Sequence, residues 1–448
     1  MVGGRPRSQD DTDAGTLQPL GMIDSIPPTT LTPPRGTPSG AIAAPRYRNP
    51  FAVLIKHRNF RIFWFGQTGS LVGTWMQQVA LGWVVLQITN SPFLVGVEAA
   101  AGSLPVLLFT LYAGVLADRR NKLVLVRITQ ALLLFEATLL WWFNWTGHVT
   151  IAVLIGIALF GGVASAFDIP TRQALMVEFV GRDDVVDAIA LNSSGFNLAR
   201  IAGPSLAAII IDRFGIAWCF ASNAFSYLLV LISLFLIKLP PKVIAATDLS
   251  PTEGLMEGIR FMRKSREVSL LMSMVTVYSI FGIPYLVLMP VIARDTLHGT
   301  ARTYGLLLAS VGLGAVTGAF SLAMVGRRVR RGKVLAAAAF SFSTLLIVFA
   351  FSRNIWLSAA ILFVTGLTMI LNNALANGLL QTMTPDHLRG RVMSAYAFVF
   401  VGMAPVGSVL SGSIASALGA PAAIGIGGGV LLCFAAWVFG TRKELKGL

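Results

Sequence analysis

The chain has 448 residues, of which 55% are hydrophobic and only 12% are charged, and its formal net charge is +15. Its mean hydropathy is +0.73. Soluble domains carry about a quarter charged residues, so this composition excludes a water-soluble globule and predicts a protein of the lipid bilayer. The positive charge would favour nucleic-acid binding in a soluble protein. In a membrane protein the placement of the charges matters more than their sum, so we expect no nucleic-acid partner.

Residues 1–55 form a segment of different character. The sequence up to about residue 45 is rich in Pro, Gly, Thr and Asp and contains no apolar run, so it has too little apolar surface to fold by itself. It also lacks the apolar core of a signal peptide. We predict a disordered N-terminal tail over residues 1–55.

Twelve apolar runs follow, and about 20 apolar residues suffice to cross the roughly 30 Å hydrocarbon core of a bilayer. The runs lie near residues 62–87, 93–117, 123–144, 150–170, 185–211, 217–238, 268–292, 303–325, 333–352, 355–379, 392–416 and 420–440. They predict an all-α membrane protein with twelve transmembrane helices. The predicted divisions of the chain are a six-helix bundle at 56–238, a linker at 239–267, a second six-helix bundle at 268–440 and a tail at 441–448.

The basic residues are distributed unevenly over the loops. Of the 35 Lys and Arg residues, 30 fall in the tails, the linker and alternate loops, four fall in the other loops, and Arg200 lies inside a run. Loops rich in Lys and Arg face the cytoplasm. One extra or missing helix would place every later loop on the other side of the membrane. The skew therefore predicts an even number of helices and a multi-pass protein of the cell membrane, with both termini in the cytoplasm.

The two sets of six runs show a weak internal repeat. An offset of about 208 residues aligns Arg119 with Arg327 and Gln173 with Gln381, and it also aligns the starts of the runs. Internal repeats with a substrate site between the halves, near the bilayer midplane, are common in secondary transporters. The repeat predicts two pseudo-symmetric bundles and a transport function.

The loop after the second run carries a motif. It reads GVLADRRNK and contains Gly114, Asp118, Arg119 and Lys122. In these residues the sequence resembles the major facilitator superfamily, from which it departs at Asn121, where glycine is usual, and at Leu123, where a second cation is usual. The resemblance implies a cytoplasmic gate, in which the Asp118 carboxylate faces the positive N-terminal end of the eleventh helix in the outward-facing state. The alternative is an ordinary basic turn.

A second set of motifs is narrower. The sequence FDIPTRQA at 167–174, NSSGFNLAR at 192–200 and RGRVMS at 389–394 resembles the branch that contains bacterial enterobactin exporters and related drug and secretion exporters. This resemblance implies a proton-coupled exporter of small amphipathic molecules, siderophore-like or drug-like, that works by alternating access. We also expect a monomer. An importer of the same fold, and a membrane scaffold or sensor that transports nothing, remain as alternatives.

The fifth run contains Gly203 and Pro204, part of a motif of proton-coupled exporters. Ala207 and Ala208 replace the two glycines that usually end this motif. Small residues permit close helix packing, and proline removes a backbone hydrogen bond. We predict a point of packing and bending here, and the antiport interpretation stays open.

Ionisable side chains inside the bilayer are costly and therefore functional candidates. Arg200 is a candidate for binding an anionic group of the substrate or a carboxylate, or alternatively for fixing helix packing through backbone carbonyls. Glu98 and Glu136 are candidates for carrying the coupling proton. Asp168 and Arg172 flank a proline at the predicted cytoplasmic end of the fourth helix and are candidates for an inner gate with the motif loop.

Uncharged polar side chains mark a candidate substrate cavity. In the fold that the resemblance implies, helices one, four, seven and ten line the central path. The candidates, which also fit hydrogen bonding between helices, are Gln67, Gln77, Tyr278, Asn373 and Asn377. Polar and aromatic groups of this kind suit an amphipathic ligand.

Motifs of enzymes are absent from the sequence. It contains no GxxxxGK[ST] phosphate loop, HExxH or GxSxG, so we predict neither enzyme activity nor a cofactor. The four histidines are scattered, and Cys219 and Cys433 lie in separate apolar runs, so we predict buried thiols and no metal site. The expected partners are a small-molecule substrate, protons and the bilayer.

Overall fold

The computed structural model describes residues 51–181, 183–237, 260, 265–325 and 330–441. Twelve helices in these residues are long and apolar enough to cross a membrane, which confirms the prediction. The regular structure of the described residues is entirely helical. In chain order we call the helices spans 1 to 12, with the bounds Arg58–Thr89, Pro92–Arg119, Lys122–Trp145, Ile151–Val180, Val185–Phe214, Ile216–Leu236, Arg266–Thr296, Ala301–Val325, Arg331–Phe351, Ile355–Met383, Leu388–Leu418 and Ala420–Thr441.

A short helix, Ala52–Lys56, precedes span 1. Its Val53 and Leu54 side chains are buried against the first spans, so ordered structure reaches into the last residues of the predicted tail because two apolar side chains find a core there. The rest of that tail, nearly all of the predicted linker and residues 442–448 lie outside the described residues.

The ends of the spans are fixed by local chemistry. Side-chain oxygens accept hydrogen bonds from the first free backbone N–H groups of four spans. These caps are Ser91, Asn121, Thr150 and Asn354. Single glycines with positive φ, Gly215 (91°) and Gly419 (88°), join span 5 to span 6 and span 11 to span 12. A residue with a Cβ is strained in that conformation, so glycine permits these one-residue reversals.

Two spans of the second half are irregular. Span 7 changes from α-helix to a π-turn at Tyr278–Gly282 and then to a 3₁₀ turn at Ile283–Leu286. Pro284 lies in this stretch and has no N–H to donate. Span 11 is interrupted at Met403, just before Pro405. Apolar periodicity alone did not predict either interruption.

Spans 1 to 6 form the N-half and spans 7 to 12 the C-half, and the two halves pack in the same pattern. Span 2 packs on span 4 as span 8 packs on span 10, and span 3 packs on span 6 as span 9 packs on span 12. Glycines allow the closest crossings. A Cβ on Gly162 would lie 2.4 Å from the carbonyl oxygen of Gly102, and a Cβ on Gly314 would lie 1.8 Å from that of Phe363. The chain thus forms two pseudo-symmetric six-helix bundles, as predicted.

The apolar core is divided differently at the two ends of the spans. We call the end with Lys122 and Arg172 the basic end and the other the opposite end. At the basic end, one cluster contains only N-half residues such as Phe63, and another contains only C-half residues such as Leu271. At the opposite end, a single cluster contains residues of both halves, including Leu86. Within the described residues, the halves therefore share a core only at the opposite end.

The two cysteines differ in environment. Cys219 is buried, but Cys433 is exposed. The prediction of two buried thiols was wrong for Cys433, because an apolar position on a membrane-spanning helix faces either protein or lipid, and hydropathy does not distinguish the two.

Candidate functional site

Polar contacts between the halves hold the opposite end together. The guanidinium of Arg294 in span 7 donates to the main-chain oxygen of Leu86 at 3.0 Å and to Oδ1 of Asn90 at 2.9 Å. Arg302 of span 8 pairs with Asp212 of span 5 at 2.5 Å. Sequence reasoning assigned no role to either arginine. The signal that would have found them is that both belong to the four basic residues outside the basic loops.

An aromatic stack also joins the halves at this end. The rings of Trp83 in span 1 and Tyr304 in span 8 lie 6.1 Å apart with an angle of 19° between their planes. Both side chains are buried in the shared cluster. Gly82 makes room for the stack, since a Cβ there would lie 3.3 Å from the Tyr304 hydroxyl oxygen.

The predicted packing point, Gly203 and Pro204, lies where span 5 crosses two other spans. A Cβ on Gly203 would lie 2.4 Å from Cβ of Trp75 in span 1. A Cβ on Gly305 of span 8 would lie 2.7 Å from the main-chain oxygen of Pro204. Span 5 is thus in close contact with its own half and with the other half at the same level.

The carboxylate of Glu136 is the centre of a buried polar cluster in the N-half. It accepts hydrogen bonds from Nε2 of Gln77 at 2.8 and 3.0 Å, and Oε1 of Gln77 accepts one from Asn223 at 2.8 Å. Spans 1, 3 and 6 each contribute one of these side chains. Gly161 of span 4 lies against the carboxyl group, because a Cβ there would be 3.1 Å from it. The amide of Gln77, a predicted cavity residue, is therefore engaged inside the N-half.

A second carboxyl group, that of Glu98, lies close to this cluster. Glu98 is buried in span 2. It lies within electrostatic range of Glu136 in the same half and of Tyr304 in the other half. No hydrogen bond or ion pair of Glu98 occurs among the described residues. The two candidate proton carriers are thus neighbours, on the side of the N-half that meets span 8.

Asp168 is buried near the basic end of span 4. Its Oδ1 accepts hydrogen bonds from Thr129 at 2.9 Å and from Gln130 at 2.8 Å, and its Oδ2 lies 3.2 Å from the Arg172 guanidinium. Three donors therefore surround the carboxylate, and all of them belong to spans 3 and 4. This pairing links two spans of one half.

The motif loop connects spans 2 and 3. The side chain of Asp118 lies outside the described part of the structure. Arg119 is exposed, and Lys122 forms an ion pair of 3.1 Å with Glu178 at the end of span 4. Gly114 has open space where a Cβ would be, so packing does not require glycine at that position.

Arg200 lies near the middle of span 5. Its Nε and Nη2 atoms are buried and have no hydrogen-bond partner in the part of the chain that the structure describes. The guanidinium lies within electrostatic range of Tyr278 and Tyr285, which project from span 7 of the other half. Both tyrosines are buried, and the Tyr285 hydroxyl donates to the sulfur of Met369 at 3.8 Å, a weak acceptor.

The remaining cavity candidates lie on spans 1 and 10. Gln67 is buried, and its Oε1 atom has no partner among the described residues. Asn373 is partly buried and lies beside Tyr278. The Oδ1 atom of Asn377 accepts a hydrogen bond of 2.6 Å from Gln381 one turn later.

The sequence did not predict a set of contacts at the basic end, which we call the clamp and which consists of Asp184, His57 and Lys56. Asp184, in the loop before span 5, accepts hydrogen bonds from Nε2 of His57 at 2.8 Å and from Lys56. These two donors lower the pKa of the Asp184 carboxyl group to about 2. The clamp ties the helix Ala52–Lys56 to a loop more than 120 residues later in the chain. Among the described residues, no group of three or more His, Cys, Asp or Glu side chains is arranged to bind a metal ion.

Residues 49–446 match the model of a family described as transmembrane secretion effectors. The chain belongs to the major facilitator superfamily. This membership confirms the resemblance predicted from the motifs. Members of the superfamily are transporters of small molecules, so the prediction that this chain is not an enzyme is also confirmed.

Curated relatives of this major facilitator protein include a transporter, an efflux pump and an exporter. It is 24% identical to the staphyloferrin A transporter of Staphylococcus aureus, over 84% of this chain and 94% of the relative. It is 26% identical to the multidrug efflux pump Tap of Mycolicibacterium fortuitum, over 76% and 85%. It is 25% identical to the enterobactin exporter EntS of Citrobacter koseri, over 84% and 90%.

Solved structures agree in fold. The peptide transporter POT superposes with a TM-score of 0.70 at 13% identity, over 90% of this chain and 99% of that structure. The D-xylose–proton symporter superposes with a TM-score of 0.68 at 13% identity, over 86% and 99%. At such low identity the likeness concerns the arrangement of the twelve spans alone.

Proposed function

We propose that this transporter is a proton-coupled exporter of small amphipathic molecules, siderophore-like or drug-like, that works by alternating access. The observation that carries the proposal is how the apolar core is divided. At the opposite end, one cluster contains residues of both halves, whereas at the basic end each half has a cluster of its own. Rocking of two related halves exposes a central site to each side in turn. The observed packing is what one end point of that motion requires.

The basic end is assigned to the cytoplasm in this proposal, with both termini on the same side. The support is the skew of the basic residues, 30 of 35, toward the tails, the linker and alternate loops. With this orientation the shared cluster closes the outer side, and the structure corresponds to an inward-facing state. Because one chain supplies both halves, the proposed working unit is a monomer.

The proposed direction and cargo rest on the relatives and on the spans that line the centre. The relatives named above are described as a staphyloferrin A transporter, a multidrug efflux pump and an enterobactin exporter. Uncharged polar and aromatic side chains, such as Gln67, Tyr278 and Asn373, suit a molecule with both apolar and polar parts. An importer of the same fold is the alternative, and the direction of movement decides between them.

Glu136 is the proposed carrier of the coupling proton. A carboxyl group buried inside the membrane is costly to ionise and is a functional group by default. The side-chain amide of Gln77, which belongs to span 1, donates a hydrogen bond to Glu136 and thereby stabilises the ionised carboxylate. A change in protonation would therefore alter a contact between spans 1 and 3 and bias the equilibrium between two states of the N-half. Glu98 is the neighbouring acid in this scheme.

The test is accumulation in a bacterial strain that lacks its main efflux systems. Expression of the chain is expected to lower cellular accumulation of some members of a panel of dyes, drugs and siderophores. A protonophore is expected to restore accumulation, and so is Asp118→Asn, whereas Asp183→Asn in an exposed loop is expected to have no effect. Unchanged accumulation under every condition would exclude proton-linked export for that panel, and raised accumulation would indicate an importer.

A further inference from the structure

Arg200 lies where the two halves meet in the middle of the membrane. It is three residues before Gly203 in span 5. Its main-chain oxygen faces span 8, because a Cβ on Gly312 would lie 3.3 Å from it. Its guanidinium is in electrostatic range of Tyr278 and Tyr285 of span 7. The charge is therefore directed at the space between spans 5 and 7, which belong to different halves.

Two other arginines of the N-half spans have partners. Arg172 is paired with Asp168, and Nη2 of Arg127 donates to the main-chain oxygens of Leu234 and Ile237 at 2.8 and 3.3 Å. Arg200 differs, because its guanidinium forms no hydrogen bond or ion pair among the described residues, and its Nε and Nη2 atoms are buried. The side chain as a whole is partly buried. Buried N–H groups of a charged guanidinium require acceptors, so a group outside the described chain, either water or a ligand, is expected to supply them.

Among the described residues, no carboxylate forms an ion pair with Arg200. In the N-half, Asp168 is occupied by Arg172, and Glu136 accepts from Gln77. Glu98 is also buried, but it lies beside Glu136 and Tyr304 and forms no ion pair with Arg200. In the C-half, the sequence from residue 268 to residue 441 contains only two acidic residues, Asp295 and Asp386, and both lie at the ends of spans. The side of the molecule that faces Arg200 therefore contains no counterion at the level of the bilayer midplane.

We propose that the transported molecule is an organic anion whose acidic group binds the Arg200 guanidinium between the halves. A carboxylate, sulfonate or phosphate has two oxygens that would accept from Nε and Nη2 together, the bidentate geometry for which guanidinium is suited. The buried rings of Tyr278 and Tyr285 would contact the apolar part of the same molecule. This inference rests on the proposed transport function and adds the charge of its substrate.

The first arm of the test measures binding, which does not require transport. Purified full-length protein in lipid nanodiscs is titrated with 1-naphthoate, with the uncharged 1-naphthamide and with the cationic 1-naphthylmethylamine, and the shift in thermal unfolding is recorded. The naphthoate is expected to bind at least tenfold more tightly than the other two. Arg200→Gln is expected to remove this preference, and Arg200→Lys, which keeps the charge, is expected to retain part of it.

The second arm measures transport in energised everted vesicles with the anionic dye fluorescein and the cationic dye rhodamine 123. Fluorescein is expected to enter, and Arg200→Gln is expected to lower its rate at least tenfold. The inference is overturned if the amide or the amine binds as tightly as the naphthoate, if none of the three binds, or if Arg200→Gln lowers rhodamine 123 transport equally. Preferential naphthoate binding without transport of either dye would instead contradict the proposed function and leave the anion site supported.

Discussion

The guanidinium of Arg294 in span 7 donates to the main-chain oxygen of Leu86 in span 1, at 3.0 Å, and thereby ties the two halves together at the opposite end. This hydrogen bond is available only while that end is closed. The contact is partly exposed, so its contribution is about 1 kcal/mol, which corresponds to about a fivefold change in an equilibrium. Arg294→Ala is therefore expected to increase the population open at the opposite end about fivefold.

Distances between spin labels test this expectation. Labels are attached to cysteines introduced at Gln87 and Thr296 in a chain without its native thiols, and the fraction of long distances is measured. Arg353→Ala is the matched control, because that guanidinium donates to the main-chain oxygens of Ala350 and Ser352 in its own half. If both variants opened the protein equally, the contact to Leu86 would have no special role.

Glu136→Gln is expected to separate exchange from proton-driven accumulation. Glutamine keeps the shape of the side chain and still accepts from Gln77, but it has no proton to release. In proteoliposomes, exchange of labelled for unlabelled substrate is expected to stay near the wild-type rate. Accumulation driven by a pH gradient is expected to fall at least tenfold.

The control for this variant is Glu267→Gln, which removes a carboxylate at the basic end of span 7, away from the cluster. It is expected to preserve both activities. Wild-type accumulation by Glu136→Gln would assign the coupling proton to another group, with Glu98 as the next carboxyl group to replace. Loss of exchange as well as accumulation would indicate damage to the fold of the N-half.

The sequence contained the information for the spans because a bilayer imposes one requirement on all of them, a run of apolar residues of sufficient length. It did not reveal the interruptions of span 7 or the break at Met403. Proline is tolerated in membrane helices when neighbours satisfy the freed backbone groups, and those neighbours are distant in the chain. The exposure of Cys433 could not be predicted for a related reason. Lipid and the protein interior are equally apolar, so hydropathy does not tell which of them a side chain faces.

The candidate site was only partly accessible from the sequence. Arg200, Glu98 and Glu136 were found because charge inside an apolar run is conspicuous. The hydrogen bond from Gln77 to Glu136 could not be predicted, because the two residues are 59 positions apart in the sequence. The role of Arg294 was not predicted, because this residue lies at the end of an apolar run, where a basic residue is ordinary. Its importance depends on which carbonyl it meets, and that depends on how the halves pack.

Gly314→Ala is expected to weaken the packing of span 8 on span 10. The new Cβ would lie 1.8 Å from the main-chain oxygen of Phe363, so the helices must separate. Overpacking of this kind costs about 1–3 kcal/mol, more than the gain of about 1 kcal/mol from replacing glycine in a helix. The unfolding temperature in detergent is expected to fall by several degrees. Gly429→Ala, with no atom within 4 Å of its Cβ, is expected to leave it unchanged or raise it, and equal losses in both variants would contradict the packing argument.

The clamp of Asp184 on His57 and Lys56 predicts a pH dependence of stability. The two donors lower the pKa of Asp184 to about 2 in the folded protein, below the value of about 3.9 for a free aspartate. The stabilisation is therefore complete above about pH 4 and is lost as the pH falls toward 2, because the unfolded chain takes up the proton first. Asp184→Asn is expected to lower the unfolding temperature at pH 6, and the difference from wild type is expected to shrink below pH 4. Asp183→Asn, at an exposed position in the same loop, is expected to match wild type throughout. A difference for Asp184→Asn that stays constant down to pH 3 would show that its ionisation contributes nothing.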